Sequence, residues 1–162
     1  MKRCAVLSSD AMYRYALWRE WDKGFPQILF IGLNPSTADA EYDDPTILRC
    51  VGFARQWGYG RLAIANLFAF RSTSPTNLKR CDNPVGVENN KWLETLSRES
   101  QQVVAAWGMH GGFRDRDRDV LSILSVPLLC LGLTKAGYPR HPLYMRRGTA
   151  LQAFTASVSD AS

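Results

Sequence analysis

The feature that most constrains the fold is a short apolar run that ends abruptly in polar residues. Residues 28–33 read ILFIGL, and Asn34-Pro35-Ser36-Thr37 follows directly. Six apolar or small residues in a row suit a strand buried on both faces, as in a parallel sheet covered by helices. The polar residues then lie at the carboxyl end of the strand, where open α/β sheets bind ligands. We therefore expect Asn34 at the floor of an active or binding site.

Three further apolar runs repeat this arrangement along the chain. Strands are predicted at 61–67, 102–107 and 127–131, and helices are predicted from Asp44-Pro45, from about Asn83-Pro84 and from about Arg114. Asp44 and Pro45 are typical of a helix start, because aspartate caps the first turn and proline fits the first helical position. The alternation of strands and helices favours an α/β fold with three layers, α/β/α, around a central, mainly parallel four-stranded sheet.

The remaining segments add an N-terminal extension and a tail. Residues 3–8 and 13–19 form either a hairpin or a strand and a short helix, since periodicity does not decide between them. The polar stretch at 72–77 is expected to be a loop. Because there is no linker or repeat, we expect a single domain over 1–162, with its core at 27–144 and a frayed tail at 155–162.

Composition narrows the class of protein. The 162 residues are 46% hydrophobic and 22% charged, which is typical of a globular domain. No apolar run approaches the ~20 residues of a membrane span, and the N-terminus lacks a signal-peptide core, so we expect a cytoplasmic protein without a membrane partner. The four scattered cysteines form no C-x-x-C pair, so we expect buried free thiols, no metal site and no cofactor. The net charge of +5 permits binding to nucleic acid without establishing it.

Polar or glycine-rich residues follow all four predicted parallel strands. The candidates are Asn34, Asn66 with Arg71, Gly108 with His110, and the segment from Thr134 to His141. Since parallel strands end at one edge, these groups are expected to meet in one crevice. Each also has a plainer interpretation, such as a turn for Asn34, a bridge between loops for Asn66 and a loop residue for either histidine. The alternating arginines and aspartates at 114–119 are interpreted as a solvated helix start.

The order of these motifs resembles the uracil-DNA glycosylase superfamily. Gly32-Leu33-Asn34-Pro35 is similar to the first motif of its mismatch-specific branch, Asn66 in AIANLFAF matches the asparagine that reads the flipped pyrimidine, and His141-Pro142 matches the final motif. The strand end Trp107-Gly108 also fits, and the resemblance extends from residue 28 to residue 144. More closely, the whole chain resembles a bacterial family catalogued as a domain of unknown function, which implies no activity.

The resemblance implies a DNA glycosylase-like, base-releasing hydrolase acting on a modified or mismatched base extruded from the duplex. Asn34 and His141 are its implied catalytic residues, the first positioning water and the second bonding a base carbonyl as negative charge develops there. Asn66 is implied to bind the base edge. Phe68 and Tyr42 are candidates for stacking on the base.

The implied partner is nucleic acid, DNA above all, or another nucleobase-containing ligand. Leu143, Tyr144 or Met145 is expected to fill the gap left by the extruded base. The flanking arginines, Arg140, Arg146 and Arg147, are expected to hold phosphates.

Two departures from the superfamily keep other functions open. Ser36-Thr37-Ala38 replaces the tyrosine that excludes thymine, and the last motif lacks the Ser-Pro of His-Pro-Ser-Pro. Asn34 also activates water weakly, because it is a neutral amide. The alternatives are a non-catalytic module of the same fold that binds a nucleobase, nucleotide or nucleic acid, or a different hydrolase on a related α/β scaffold.

Overall fold

The computed structural model describes residues 1–156, which form an α/β fold around one mixed sheet. The seven strands of that part of the chain are β1 Lys2–Leu7, β2 Arg14–Glu20, β3 Gln27–Gly32, β4 Arg61–Asn66, β5 Gln102–Ala105, β6 Leu128–Cys130 and β7 Gln152–Ala153. Its four α-helices are α1 Pro45–Gln56, α2 Pro75–Arg80, α3 Asn89–Glu99 and α4 Arg116–Ile123, and 3₁₀ turns occupy Gly108–Asp115 and Pro142–Tyr144. None of the helices in these residues has the length and apolar character needed to cross a membrane.

The sheet has the strand order β1-β2-β4-β3-β5-β6-β7. Strands β4, β3, β5 and β6 are parallel, which confirms the predicted parallel core of four strands. The predicted total of four strands is wrong, because the N-terminal extension is an antiparallel hairpin that continues the sheet beside β4. At the other edge, the two-residue strand β7 pairs with β6 and is too short to leave a periodic pattern in the sequence.

Strand β3 lies at the centre and contributes to hydrophobic clusters on both faces of the sheet. Leu29 and Ile31 pack with residues of α3 and α4, whereas Ile28 and Phe30 pack with residues of α1. Successive side chains of a strand point to opposite faces, so a strand covered on both sides needs apolar residues at every position. This explains the continuous ILFIGL run.

Helix α1 begins where the sequence predicts. The Asp44 side chain accepts a hydrogen bond from the backbone N–H of Ile47 at 2.9 Å, and Gly58 follows the helix with a positive φ of 85°. Leu48 of this helix is exposed to solvent. Cys50 and Phe53 contribute to the buried face instead.

The other helices correct the sequence predictions. Helix α3 starts at Asn89 rather than near Asn83-Pro84, because the carbonyls of Pro84 and Val85 bond the chain after β4 instead of starting a helix. Helix α2 replaces part of the predicted loop at 72–77, and its cap is Ser74, whose side chain accepts from two backbone N–H groups of the first turn.

Arg116 contradicts the interpretation of residues 114–119 as a solvated segment. Its side chain is buried, and Nε donates to the carbonyl of Leu67 at 2.7 Å while Nη2 donates to Oδ1 of Asn90 at 2.7 Å. Alternating charges do not reveal which side of a helix faces the core. Here the first residue of α4 points inward and ties the helix to the end of β4.

The cysteine and tail predictions have mixed outcomes. All four cysteines are free, but only Cys50 and Cys130 are buried, and Cys4 on the edge strand β1 is exposed. Burial raises the pKa of the Cys50 thiol far above its usual range.

Most of the predicted frayed tail, residues 157–162, lies outside the described residues.

Two glycines give a matched test of packing. A Cβ at Gly60 would lie 1.9 Å from the backbone oxygen of Asp22, whereas a Cβ at Gly52 on α1 meets nothing within 4 Å. Gly60→Ala should lower the free energy of unfolding by about 1–3 kcal/mol, since backbone must move to relieve the overlap. Gly52→Ala should raise it by about 0.5–1 kcal/mol, since alanine restricts the unfolded chain and favours helix. Urea titrations measure both, and equal effects would contradict this packing.

Candidate functional site

A cleft of about 440 Å³ opens at the carboxyl edge of the parallel strands. Asn34, Asn66 and His141 all line it, so the structure brings together the three polar residues expected to share a crevice. His110 lines it as well. The volume falls within the roughly 300–1,000 Å³ of pockets that hold small molecules.

Asn66 is held at the end of β4 with its amide nitrogen available. Its Oδ1 accepts a hydrogen bond from Nη2 of Arg14 at 3.3 Å, which leaves Nδ2 as a donor toward the cleft. Nδ2 lies only 2.9 Å from where a Cβ would stand on Gly32, the residue paired with Asn66 on the adjacent strand. A side chain at position 32 would therefore force the Asn66 amide to shift. Asn89 fixes the strand end by donating to the carbonyls of Asn66 and Leu67.

Asn34 has a structural role that the sequence only partly suggested. Its Nδ2 faces three carbonyls at 3.1–3.2 Å, those of Pro35, Phe70 and Ser72. Only a nitrogen can face three acceptors, so the amide orientation is determined. The side chain joins the loop after β3 to the loop after β4, and it presents Oδ1 as the atom that can accept from a ligand or water.

His141 is neutral and presents one donor. Its Nδ1 accepts from the backbone N–H of Leu143 at 3.2 Å, so the ring proton of the neutral form is on Nε2. Burial lowers the pKa of His141, and the nearby Asp44 carboxylate only partly opposes this effect. The backbone around it is fixed, because the N–H of Gly108 donates to the carbonyl of Pro139 and that of Arg140 donates to the carbonyl of Gly132.

Arg14 is a cleft residue that sequence reasoning missed. It is 2% exposed, lines the cleft, and donates from Nη1 to the carbonyl of Ala38 at 2.9 Å. Burial lowers its pKa to about 10, with Asp44 opposing the shift, so it remains a cation at neutral pH. Its position follows from the antiparallel direction of β2, which begins where the parallel strands end. No sequence motif predicts that such a residue enters the cleft, because the direction of β2 has to be known first.

Asp44 is the second missed residue, and it gives the cleft a carboxylate. The sequence identified it only as the cap of α1, but its side chain also lines the cleft. One oxygen accepts from Ile47, and the other is free of hydrogen bonds within residues 1–156. In the same residues, no three histidine, cysteine, aspartate or glutamate side chains are placed to hold a metal ion.

Two predicted stacking residues lie outside the cleft. Phe68 is completely buried against the α3 and α4 side of the sheet, where its ring packs on Phe113 with centroids 5.6 Å apart. Tyr42 is 67% exposed in the loop before α1, and the Asp39 carboxylate and the Arg19 guanidinium bond its backbone there. Neither ring can stack on a ligand in the cleft as placed here.

The residues predicted to contact nucleic acid lie at and beyond the rim. Leu143 and Tyr144 line the rim with exposed fractions of 40% and 82%, and the Tyr144 ring packs edge-on against His141. The three flanking arginines, Arg140, Arg146 and Arg147, are exposed outside the cleft. The sequence did not indicate a second, open groove of about 800 Å³, which shares Ser36, Ser72 and Thr73 with the cleft and carries Arg71 and Arg80.

Comparison with known proteins gives a family without an activity. A family model described as a protein of unknown function (DUF1643) matches residues 14–143, a segment that runs from Arg14 through His141. No curated protein and no solved structure matches the chain. None of these comparisons connects it to the uracil-DNA glycosylase superfamily, so that resemblance rests on the motifs.

Replacing Asn34 by aspartate tests its structural role. Asn34→Asp places a carboxylate oxygen against three carbonyls, so it should lower the free energy of unfolding at pH 7 by about 1–3 kcal/mol. Part of the loss should be recovered at acidic pH, where the protonated carboxyl can donate. Asn77→Asp is the control, because Asn77 is exposed in the first turn of α2, where an acidic residue is favourable. Equal stability of the two variants in urea titrations would refute this role.

The pKa of His141 predicts how stability depends on pH. The ordinary value is 6.5 and the folded value is lower, so the unfolded chain binds the proton first as pH falls. The stabilisation from neutral His141 is complete above pH 6.5 and is lost as pH falls through the folded pKa. The difference in unfolding free energy between wild type and His141→Asn should therefore shrink over that window. A difference that is constant with pH would contradict a lowered pKa of His141 in the folded protein.

Proposed function

The chain belongs to the family of proteins of unknown function DUF1643, and we propose that it is a base-releasing hydrolase that acts on a modified or mismatched base in DNA. The observation that carries the proposal is that one cleft contains both the amide and imidazole donors suited to a base and a carboxylate suited to the sugar. These are Asn66, His141 and Asp44.

Recognition of the base is assigned to the two asparagines. Asn66 offers a donor, Nδ2, and Asn34 offers an acceptor, Oδ1, because their other amide atoms already bond within the protein. A pyrimidine edge presents the complementary pattern of carbonyl oxygen and ring N–H. A base held this way has to be extruded from the duplex, since these atoms lie inside the cleft.

Cleavage separates charge along the bond between base and sugar. The bonding electrons move to the base, and the sugar becomes a cation resembling an oxocarbenium ion. The Nε2–H of neutral His141 donates to a base carbonyl as negative charge develops there. Asp44 stabilises the sugar cation and orients the water that attacks it. The water oxygen bonds to the sugar, and Asp44 accepts the proton that the water loses and passes it to the released base.

Asp44 supplies the proton acceptor that Asn34 lacks. A neutral amide cannot accept a full proton at neutral pH, whereas a carboxylate can. Asp44 is also immobile, because one of its oxygens caps α1 through Ile47. Asn34 therefore holds the loop and the ligand, and Asp44 orients the attacking water.

The surface around the cleft suits a nucleic-acid strand. Leu143 and Tyr144 stand at the rim as exposed apolar groups that can fill the gap left by an extruded base. The adjoining groove carries Arg71 and Arg80, which can approach phosphates.

One observation favours the alternative of a non-catalytic module that binds a nucleobase, nucleotide or nucleic acid. Asn34, which the superfamily resemblance assigns to positioning water, has its amide nitrogen committed to three carbonyls. A cleft that recognises a base without cleaving it would need Asn34 and Asn66 and would not need Asp44.

Oligonucleotide cleavage distinguishes the two functions. The protein is incubated with duplex and single-stranded DNA carrying uracil, hypoxanthine, oxidised bases or mismatches, and abasic sites are then cleaved with alkali. A hydrolase gives strand breaks that fall at least ~100-fold in Asp44→Asn and in His141→Ala, the size expected for a group that transfers or donates a proton. Asp44→Asn retains the helix cap, because asparagine caps as well as aspartate does.

Tyr42→Phe is the matched control, since Tyr42 lies outside the cleft, and its activity should equal that of wild type. Salt-sensitive DNA binding without strand breaks would contradict the hydrolase and support the binding module. Absence of both would refute the hydrolase and the binding of nucleic acid by the module.

A further inference from the structure

Strand β2 carries two buried arginines whose surroundings differ. Arg19 is fully buried, and its Nε forms an ion pair with Asp43 at 2.7 Å. Its other nitrogens donate to backbone carbonyls, including those of Trp18 at 2.9 Å and Tyr42 at 3.1 Å. This is how a folded protein stabilises a buried guanidinium, with a counter-charge and acceptors.

Arg14 lacks such compensation. A guanidinium has five N–H donors, and within residues 1–156 those of Arg14 have two acceptors, the carbonyl of Ala38 and Oδ1 of Asn66. Its Nε is buried with no hydrogen-bond partner, and no carboxylate in the same residues lies within ion-pairing distance. A buried cation in this state is costly unless something else supplies negative charge.

The neighbouring charges do not remove that cost. Asp44 and Asp39 attract Arg14, while Arg71 and Arg19 repel it. Neither carboxylate forms an ion pair with Arg14 in residues 1–156; one oxygen of Asp44 accepts from Ile47, and one oxygen of Asp39 accepts from N–H groups of the following turn. The open space next to Arg14 is the cleft, which Arg14 lines beside Asn66.

We propose that Arg14 makes the floor of the cleft a receptor for a compact oxyanion on the ligand. The planar guanidinium suits two oxygens of one group, as in a phosphate or a carboxylate. Nδ2 of Asn66 lies beside it as a neutral donor. The oxyanion is either a phosphate of a nucleotide or an acidic oxygen borne by the base. Binding does not depend on hydrolysis, so a protein that cleaves nothing would still show it.

This receptor also acts as a filter. A neutral ligand of the same shape leaves Arg14 without a counter-charge, whereas an anionic one compensates it. Since the penalty for an unpaired buried charge is large, the difference should be tenfold or more in affinity. The charge of the ligand, as well as its hydrogen-bonding edge, therefore selects what the cleft retains.

Arginine Nε–H signals in the NMR spectrum of the wild-type protein test this directly. The probes are inorganic phosphate, orotate as a pyrimidine with a carboxylate, and uracil as its neutral counterpart at pH 7, all at matched ionic strength. The Arg14 signal should shift saturably with phosphate or orotate, at an affinity at least tenfold higher than for uracil. Arg19 is the internal control, because its Nε already bonds Asp43, and its signal should stay in place.

The pattern of binding identifies the source of the anion. A response to phosphate alone assigns the oxyanion to a nucleotide phosphate, and a response to orotate alone assigns it to the base. Uracil binding as tightly as both anions, or no saturable shift of Arg14 with either anion, would overturn the proposal. The readout uses no glycosidic bond, so it fails or succeeds separately from the oligonucleotide assay.

Two variants give an independent check by calorimetry. Arg14→Met keeps much of the side-chain volume without the charge and should weaken anion binding at least tenfold. Arg19→Lys keeps a cation beside Asp43 outside the cleft and should leave anion binding unchanged. Anion binding that survives in Arg14→Met would overturn the proposal, and if that variant does not fold, the wild-type spectra still decide the question.

Discussion

The parallel pairing of β3 with β4 is the contact on which the cleft depends. Gly32 and Asn66 are partners in that register, and the amide nitrogen of Asn66 lies 2.9 Å from where any other residue at 32 would place its Cβ. The hydrogen bonds of Asn34, Asn89 and Arg116 hold the two loops that continue from these strands. The polar end of the sheet is therefore a connected network, and the orientation of each amide follows from its neighbours.

The electrostatics of the cleft follow from this frame. Its polar groups combine a buried cation, a neutral imidazole and a carboxylate that also caps a helix, at Arg14, His141 and Asp44. Arg19, on the same strand, shows that the protein can neutralise a buried guanidinium when it lies away from the cleft. The absence of a comparable partner for Arg14 within residues 1–156 gives that position a functional meaning, since stability alone would favour neutralising it.

Features that depend on local sequence patterns were predicted more accurately than features that depend on which way a side chain faces in the folded structure. The buried strands and the start of α1 could be predicted, because a continuous apolar run and an Asp-Pro pair are local patterns. The meeting of Asn34, Asn66 and His141 also followed, since the ends of parallel strands share an edge. Phe68 was misplaced because a residue beyond a strand end can turn to either face of the sheet, and Arg116 because alternating charges do not reveal the inward side of a helix.

The sequence by itself determined the parallel α/β core, the edge where polar groups collect and several of the residues found there. These follow from local chemistry, namely the apolar period of a strand, helix caps and the direction of parallel connections. Only the tertiary structure decided that Arg14 and Asp44 enter the cleft, which atom of each amide faces it, and which nitrogen of His141 carries the proton. Those facts depend on contacts between residues far apart in the chain, such as Arg14 and Asn66, which are 52 positions apart. Such contacts exist only once the strands have paired.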